Sequence, residues 1–264
     1  MEQAMADLLE SIEDGVAVLT LNRPQALNAL SMDIRNGLLA AMERYADDSN
    51  VRCIVITGAG RAFSSGGDVK GMGERAARGY EARARGIQFS NTIPMAMRKH
   101  PKVIIGMING VAAGAGMSMS LACDLRIAGS SARFTTAFLK IGLSGDWGGT
   151  WTLTRLVGTA KARELFLLPD MVGAEEALKL GIVNRVVEDA ELRHATMEIA
   201  RRIAAMPQVA VAAVKRNLFS AETDSFATTL DQEAFNQARC SQTEDHAEAV
   251  AAFKEKRKPV FKGQ

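Results

Sequence analysis

In the apolar run from Gly15 to Leu21 β-branched residues stand at alternate positions, Val16, Val18 and Thr20, which predicts a strand that Asn22-Arg23-Pro24 stops because proline has no amide donor. After a loop through Asn28 the period changes: Ile34, Leu38, Leu39, Met42 and Tyr45 recur at helical spacing behind Ser31, a residue suited to an N-cap, giving an amphipathic helix that ends near Asp47. Val51 to Thr57 reads as the next strand. It leads into Ser64-Ser65-Gly66-Gly67-Asp68-Val69-Lys70, a turn of small residues at the carboxyl end of a strand, where ligands of α/β proteins collect. The charged, poorly patterned stretch from Gly73 to Arg85 is expected to be a mobile loop or frayed helix, with a steadier helix from Ile87 to Lys99. Val103 to Ile108 reads as a buried strand, and the glycines at 110, 114 and 116 then form a turn before an apolar run suited to a helix.

Beyond it, Leu125 to Ala128 is a short strand, Ala132 to Phe138 fits neither period, and Gly142 to Thr150 is a third glycine-rich turn ahead of a helix over 151–157. Ala174 to Leu180 is helical and closes at Gly181, a residue that accepts a left-handed cap; Ile182 to Val187 is a strand. From Leu192 the pattern is all-helical: Leu192 to Ala205, Val209 to Phe219, Phe226 to Ala238 and Ala247 to Lys256. This shift divides the chain into an α/β core at 1–190 and a helical region at 191–264.

Composition narrows the function classes. A chain of 264 residues with 47% hydrophobic content can fill a substantial core. The formal net charge of +2, with both signs interleaved, lacks the basic footprint of nucleic-acid binding, so no nucleic-acid partner is expected. Cys53, Cys123 and Cys240 form no CxxC pair, which points to a reducing compartment and no structural metal. The first residues lack a signal peptide's basic start and apolar stretch, and no apolar run reaches spanning length; a cytoplasmic protein with no membrane partner is expected.

The stretch from Val103 to Asp124 is a strand, a bare turn and a helix start. The first amides of a helix have no partner within it, so such a turn leaves N–H groups free to meet a negative oxygen. Close helix packing demands the same small residues, and both readings stay open at this point. Several other residues have ordinary explanations. Asp68 is a turn former whose carboxylate caps nearby amides, and His100, before Pro101, is a loop residue. Ser118 bonds to a substrate or back to its own helix, and Arg23 meets a phosphate or solvent.

Four segments in order resemble the crotonase superfamily of enoyl-CoA hydratase/isomerase proteins: Leu21-Asn-Arg-Pro-Gln-Ala-Leu-Asn-Ala-Leu30, Phe63-Ser-Ser-Gly-Gly-Asp-Val-Lys70, Asn109-Gly-Val-Ala-Ala-Gly-Ala-Gly116 and Gly148-Gly-Thr150. The resemblance spans the chain, including Ala-Leu-Lys-Leu-Gly-Ile-Val-Asn at 177–184. It implies an α/β fold with a spiral of ββα units and a C-terminal all-helical region that packs homotrimers or hexamers. The implied substrate is an acyl-CoA thioester, with no separate cofactor because coenzyme A is part of the substrate. Its carbonyl would sit between the backbone amides of Gly67 and Ala115. The resemblance also places Arg23, Ala26, Ser65, Gly67, Asp68, Val69, Gly114, Ser118 and Phe138 along the coenzyme A and acyl-binding path.

Hydratases of this family use two glutamates to position and deprotonate water, and those positions here carry Ser118 and Phe138. Neither side chain is a base near neutral pH. The carboxylate that remains is Asp146, in Leu143-Ser-Gly-Asp-Trp-Gly-Gly-Thr-Trp151, a turn similar to that of the family's phenylacetate-pathway epoxyphenylacetyl-CoA isomerases. One carboxylate suits an isomerase, because it can remove a proton at one carbon and return it at another. Trp147 and Phe138 nearby would desolvate Asp146 and raise its pKa; the alternative is a helix N-cap. Three rivals remain: a hydratase using Asp146 and water, a non-catalytic acyl-CoA binder, and the family's dehalogenases, which need a histidine where Asn91 stands. RNA binding, known in one relative, needs a lysine-rich helix, and Met32 to Asp47 carries only Arg35 and Arg44 as basic residues.

Overall fold

The computed structural model describes residues 6–68 and 79–264. Strand β1 (Leu8–Glu13), which the sequence pattern does not announce, runs antiparallel to β2 (Val16–Leu21) with Leu8 opposite Leu21 and Glu13 opposite Val16. The Asp14-Gly15 link has φ of 52° and 76°, the left-handed pair that a two-residue hairpin requires. Most of β1 is exposed at this edge, which explains why its apolar residues, Leu8, Leu9 and Ile12, follow no inward-outward alternation.

Helix α1 (Met32–Asp47) starts where expected, with Ser31 Oγ accepting the Ile34 amide at 3.1 Å. There follow β3 (Cys53–Gly58), β4 (Ala62–Ser64), α2 (Tyr80–Lys99), β5 (Val103–Ile108), β6 (Val111–Ala113), α3 (Ala115–Ala122), β7 (Leu125–Gly129) and β8 (Arg133–Thr135). A 3-10 turn over Phe138–Ile141 precedes α4 (Gly149–Leu167), β9 (Val172–Gly173), α5 (Ala174–Lys179) and β10 (Arg185–Val187). The chain ends in α6 (Leu192–Ala204), α7 (Gln208–Thr223), α8 (Phe226–Ser241) and α9 (Glu244–Glu255). One helix boundary is corrected and one open stretch is assigned. Helix α2 begins at Tyr80, not Ile87, so the part of the charged stretch from 80 to 85 is helical, while 73–78 lie outside the described residues. Ala132 to Phe138 divides between β8 and the 3-10 turn, which is why neither period fits it.

From β3 to β8, consecutive strands go to different sheets. β3, β5 and β7 enter a six-stranded sheet of order β1-β2-β3-β5-β7-β10, while β4, β6 and β8 enter a four-stranded sheet of order β4-β6-β8-β9. This is the ββα spiral: each repeat places one strand in each layer before its helix. The large sheet is parallel apart from β1 and is covered on both faces. Ile54 and Ile56 of β3 face a core shared with α1 and α3, whereas Cys53 and Val55 face Leu192, Met197, Ala200 and Ala204 of α6. Burial on both faces is the reason β3 reads as an unbroken apolar run. The first helix of the C-terminal region is therefore a layer of the core.

Helix α7 is fastened from outside. Lys215 Nζ donates to Asp124 Oδ2 at 2.6 Å and to the Lys102 carbonyl at 2.9 Å, and Asp124 Oδ2 also accepts the Ile104 amide at 2.7 Å. His100 is buried rather than an ordinary loop residue: Nδ1 accepts the Lys102 amide at 3.1 Å and Nε2 donates to the Met42 carbonyl at 3.0 Å. Burial and the charge of Lys215 lower its pKa to about 4, so it holds this junction as a neutral ring. On the outer side of the helical region Phe226, Phe235 and Phe253 are exposed. Among the described residues no helix is long and apolar enough to cross a membrane.

Candidate active site

Two turns at the carboxyl ends of strands meet backbone to backbone. The first follows β4 and is pinned by Asn28, a buried residue with φ of 55°. Its Nδ2 donates to the carbonyls of Ala59 and Ala62 at 2.9 and 2.7 Å, and its own carbonyl accepts from Ser64 Oγ at 2.8 Å. Ser64 Oγ in turn accepts the Gly66 amide, and the Leu30 amide donates to the Gly66 carbonyl at 2.8 Å. Gly67 is thus held beside Leu30 in a single parallel bridge.

The second turn runs from β6 into α3. A Cβ on Gly66 would stand 2.6 Å from the Ala113 carbonyl oxygen and 3.0 Å from the Ala115 nitrogen, and one on Gly116 would overlap the Ser64 carbonyl. These glycines are required by close approach, and that approach sets the start of α3 beside residues 66–67. The two readings of the turn are therefore compatible: tight packing assembles the neighbourhood in which the amides gather. No side chain caps α3, and no acceptor among the described residues takes up the amide of Gly67 or Ala115.

The third turn, from Gly142 to Gly148, carries Asp146. Its backbone enters the left-handed region at Trp147 (φ 56°), a strained conformation for so large a side chain. Two contacts hold it. The Trp147 ring is buried, and its amide donates to Asn91 Oδ1 of α2 at 3.0 Å. Gly145 lies against the rings of Phe138 and Phe166. The N-cap alternative for Asp146 does not hold: Gly148 caps α4 without a side-chain bond, and Asp146 supplies only its carbonyl, to the Gly149 amide at 3.1 Å. Its Oδ1 is buried and has no hydrogen-bond partner among the described residues. Burial pushes the carboxyl above its ordinary range, while the guanidinium of Arg35 acts in the opposite direction.

Asp146 and Gly67 line one cavity of about 210 Å³, together with Met32 and Arg35 of α1, Ala82, Arg83, Gly86, Ile87 and Ser90 of α2, and Leu143. It joins a backbone turn, a desolvated carboxylate and apolar walls. Such a site can hold an acyl group, stabilise a developing negative oxygen and exchange a proton. Ser118 and Phe138, both buried, adjoin the Asp146 turn, Ser118 Oγ against Gly149 and Phe138 against Gly114 and Gly145. The Ser118 hydroxyl does not bond back to its helix, unlike Ser120, whose Oγ donates to the Met117 carbonyl at 2.7 Å.

The other sequence candidates lie outside that cavity. Arg23 Nη1 donates to Asp68 Oδ2 at 2.8 Å and to the Ala29 carbonyl at 3.0 Å, and its Nε stands 3.5 Å from Asp7. It is thus an internal partner of Asp68 rather than a solvated loop charge, and Asp68 is an ion-pair member as well as a turn residue. Ala26 and Ser65 adjoin, with Ser65 Oγ donating to the Ala26 carbonyl at 3.4 Å and the Ser65 amide to Leu27 at 2.8 Å. Val69 lies outside the described residues. Arg35, Ser90 and Asn91 were not singled out as site residues from sequence. A charged residue beside Ile34 on the buried stripe of α1 was the available signal for Arg35.

Residues 11–264 match the family model described as enoyl-CoA hydratase/isomerase. The chain is 37% identical over 261 residues to the 1,2-epoxyphenylacetyl-CoA isomerase of Escherichia coli K12, covering 98% of this chain and 100% of that one. It is 38% identical over 250 residues to the short-chain-enoyl-CoA hydratase of Clostridium acetobutylicum, covering 93% and 94%. Among solved structures, the enoyl-CoA hydratase of Bacillus anthracis superimposes with a TM-score of 0.92 at 32% identity, covering 98% of this chain and all of that one.

Proposed function

Because the chain belongs to the enoyl-CoA hydratase/isomerase family, we propose that it is an acyl-CoA isomerase that shifts a double bond through a thioester enolate, with Asp146 as its single acid/base. The observation that carries this reading is the Asp146 carboxylate, whose Oδ1 is buried and has no hydrogen-bond partner among the described residues, in the cavity that Gly67 also lines. In a 3-enoyl thioester the C2 proton is acidic because its loss delocalises charge onto the thioester oxygen. The amides of Gly67 and Ala115 are the donors proposed for that oxygen; one such fixed donor stabilises the transition state by about 3 to 4 kcal/mol. Asp146 takes the C2 proton and returns it at C4, leaving the conjugated 2-enoyl thioester and an ionised carboxylate. No water, metal or redox group enters this cycle, and coenzyme A enters as part of the substrate.

The named relatives include both isomerases and hydratases, so the rival reaction is addition of water to the 2-enoyl thioester. Serine at 118 and phenylalanine at 138 disfavour it, because neither can activate water. The reading includes a homotrimer or hexamer packed through the helical region, supported by the exposed Phe226, Phe235 and Phe253.

The test is an assay with 3-enoyl-CoA and 2-enoyl-CoA esters in deuterated water, alongside Asp146→Asn. The double bond is expected to move with label incorporation, and the variant to lose at least about a hundredfold, as expected for loss of a general acid/base. Appearance of 3-hydroxyacyl-CoA would establish hydration instead. Tight ester binding with no exchange would identify a binder.

A further inference from the structure

We propose that Arg35 is a positioning residue for Asp146: a fixed cation in the acyl cavity that keeps the carboxylate ionised and turned toward the substrate, so that it enters the reaction as a base. The inference rests on the reading of Asp146 given above and extends it to a residue of a different element.

The geometry sets Arg35 apart from the surface cations. It lies on the buried stripe of α1, between Ile34 and Leu38, and is only 9% exposed. Its Nη1 donates at 3.1 Å to Ser90 Oγ, which donates at 3.0 Å to the Gly86 carbonyl one turn earlier in α2. The guanidinium is thereby tied across the gap between α1 and α2, in the wall of the cavity that Asp146 lines. A carboxylate in this setting faces a conflict. Removal from water favours the neutral acid, whereas its proposed role needs the anion at the start of each cycle. A guanidinium resolves the conflict because it stays charged throughout the working pH range and is less strongly hydrated than an ammonium.

Among the described residues, the charged groups facing this cavity are Arg35 from α1 and Arg83 from α2. The other neighbours noted around the Asp146 turn, Ser118 of α3, Phe138 of the 3-10 turn and Phe166 of α4, bring no charge. Arg35 is the cation that opposes the effect of burial on Asp146.

The proposal is tested on the full-length protein by the pH dependence of kcat/KM for isomerisation, comparing the natural chain with Arg35→Met, Arg35→Lys and Asp146→Asn. Removing the charge is expected to move the acid limb upward by about one pH unit or more, the effect of one adjacent opposite charge, with KM little changed. Arg35→Lys is expected to return the limb most of the way. Arg35→Gln takes the place of the Met variant should the latter fail to fold. An acid limb that stays in place, or a rise in KM confined to acyl groups that carry an oxygen, would overturn the proposal and make Arg35 a structural or substrate-binding residue. If Asp146→Asn retains the natural rate and profile, the underlying Asp146 reading fails instead, so the two failures are distinguishable.

Discussion

Burying the Oδ1 of Asp146 with no hydrogen-bond partner among the described residues works against the folded state at neutral pH. Its pKa in the fold is raised above the ordinary 3.8, so the folded chain holds that proton more tightly than the unfolded one. Below the unfolded value both forms are protonated and burial of charge costs nothing. As pH rises through the folded value the penalty grows, and above it the penalty is complete. Asp146→Asn is therefore expected to melt at a higher temperature than the natural chain at pH 7, with the difference shrinking as pH falls toward 4; scanning calorimetry across that range checks it. An unchanged or lower melting temperature at pH 7 would contradict the argument. At this scale the sequence was partly legible. Asp146 stands out because no carboxylate occupies 118 or 138, and the expected rise in its pKa is found, with burial as its cause. Arg35 was not recognised, because its role depends on a contact with Ser90, 55 positions away, that no local pattern encodes.

At the scale of elements, the site depends on how closely α3 approaches the end of β4. Gly116 is the control point, since a Cβ there meets a backbone carbonyl, which has no rotamer into which to retreat. Gly116→Ala is expected to cost about 1 to 3 kcal/mol, the range for overpacking, and to lower kcat far more than Tm by displacing the Ala115 amide. Chemical denaturation paired with steady-state kinetics checks both parts. Most elements could be read from period and caps: the Ser31 cap and the close of α5 at Gly181 fall as expected. β1 could not be read by alternation because it is an exposed edge strand whose three apolar residues are not spaced at two, although Asp14-Gly15 was a hairpin signal in plain view.

At the scale of the molecule, the helical region is joined to the sheet in two ways. Helix α6 forms one wall of the core, and α7 is attached through Lys215, Asp124 and the Lys102 carbonyl. Burial raises the Asp124 pKa even with Lys215 against it, so the pair's value lies in each partner's need for the other. Removing only the lysine, in Lys215→Met, is expected to cost about 3 kcal/mol. Hydrogen exchange should then quicken first in α7 and α8 while β3 stays protected; uniform quickening would show that the region and the core unfold as one unit. The composition shift near 190 was legible, but the incorporation of 192–204 into the core was not. An amphipathic helix shows that it has a buried face without showing against what.

The donors proposed for the thioester oxygen belong to peptide bonds, and that has a consequence for genetics. A scan that replaces each side chain by alanine deletes Asp146 but cannot delete an amide, and at position 115 it changes nothing, since alanine is already there. Such a survey would register half of the machinery as silent. The other half becomes visible only through added bulk at glycines 66 and 116, where the smallest possible insertion disturbs what no deletion can reach.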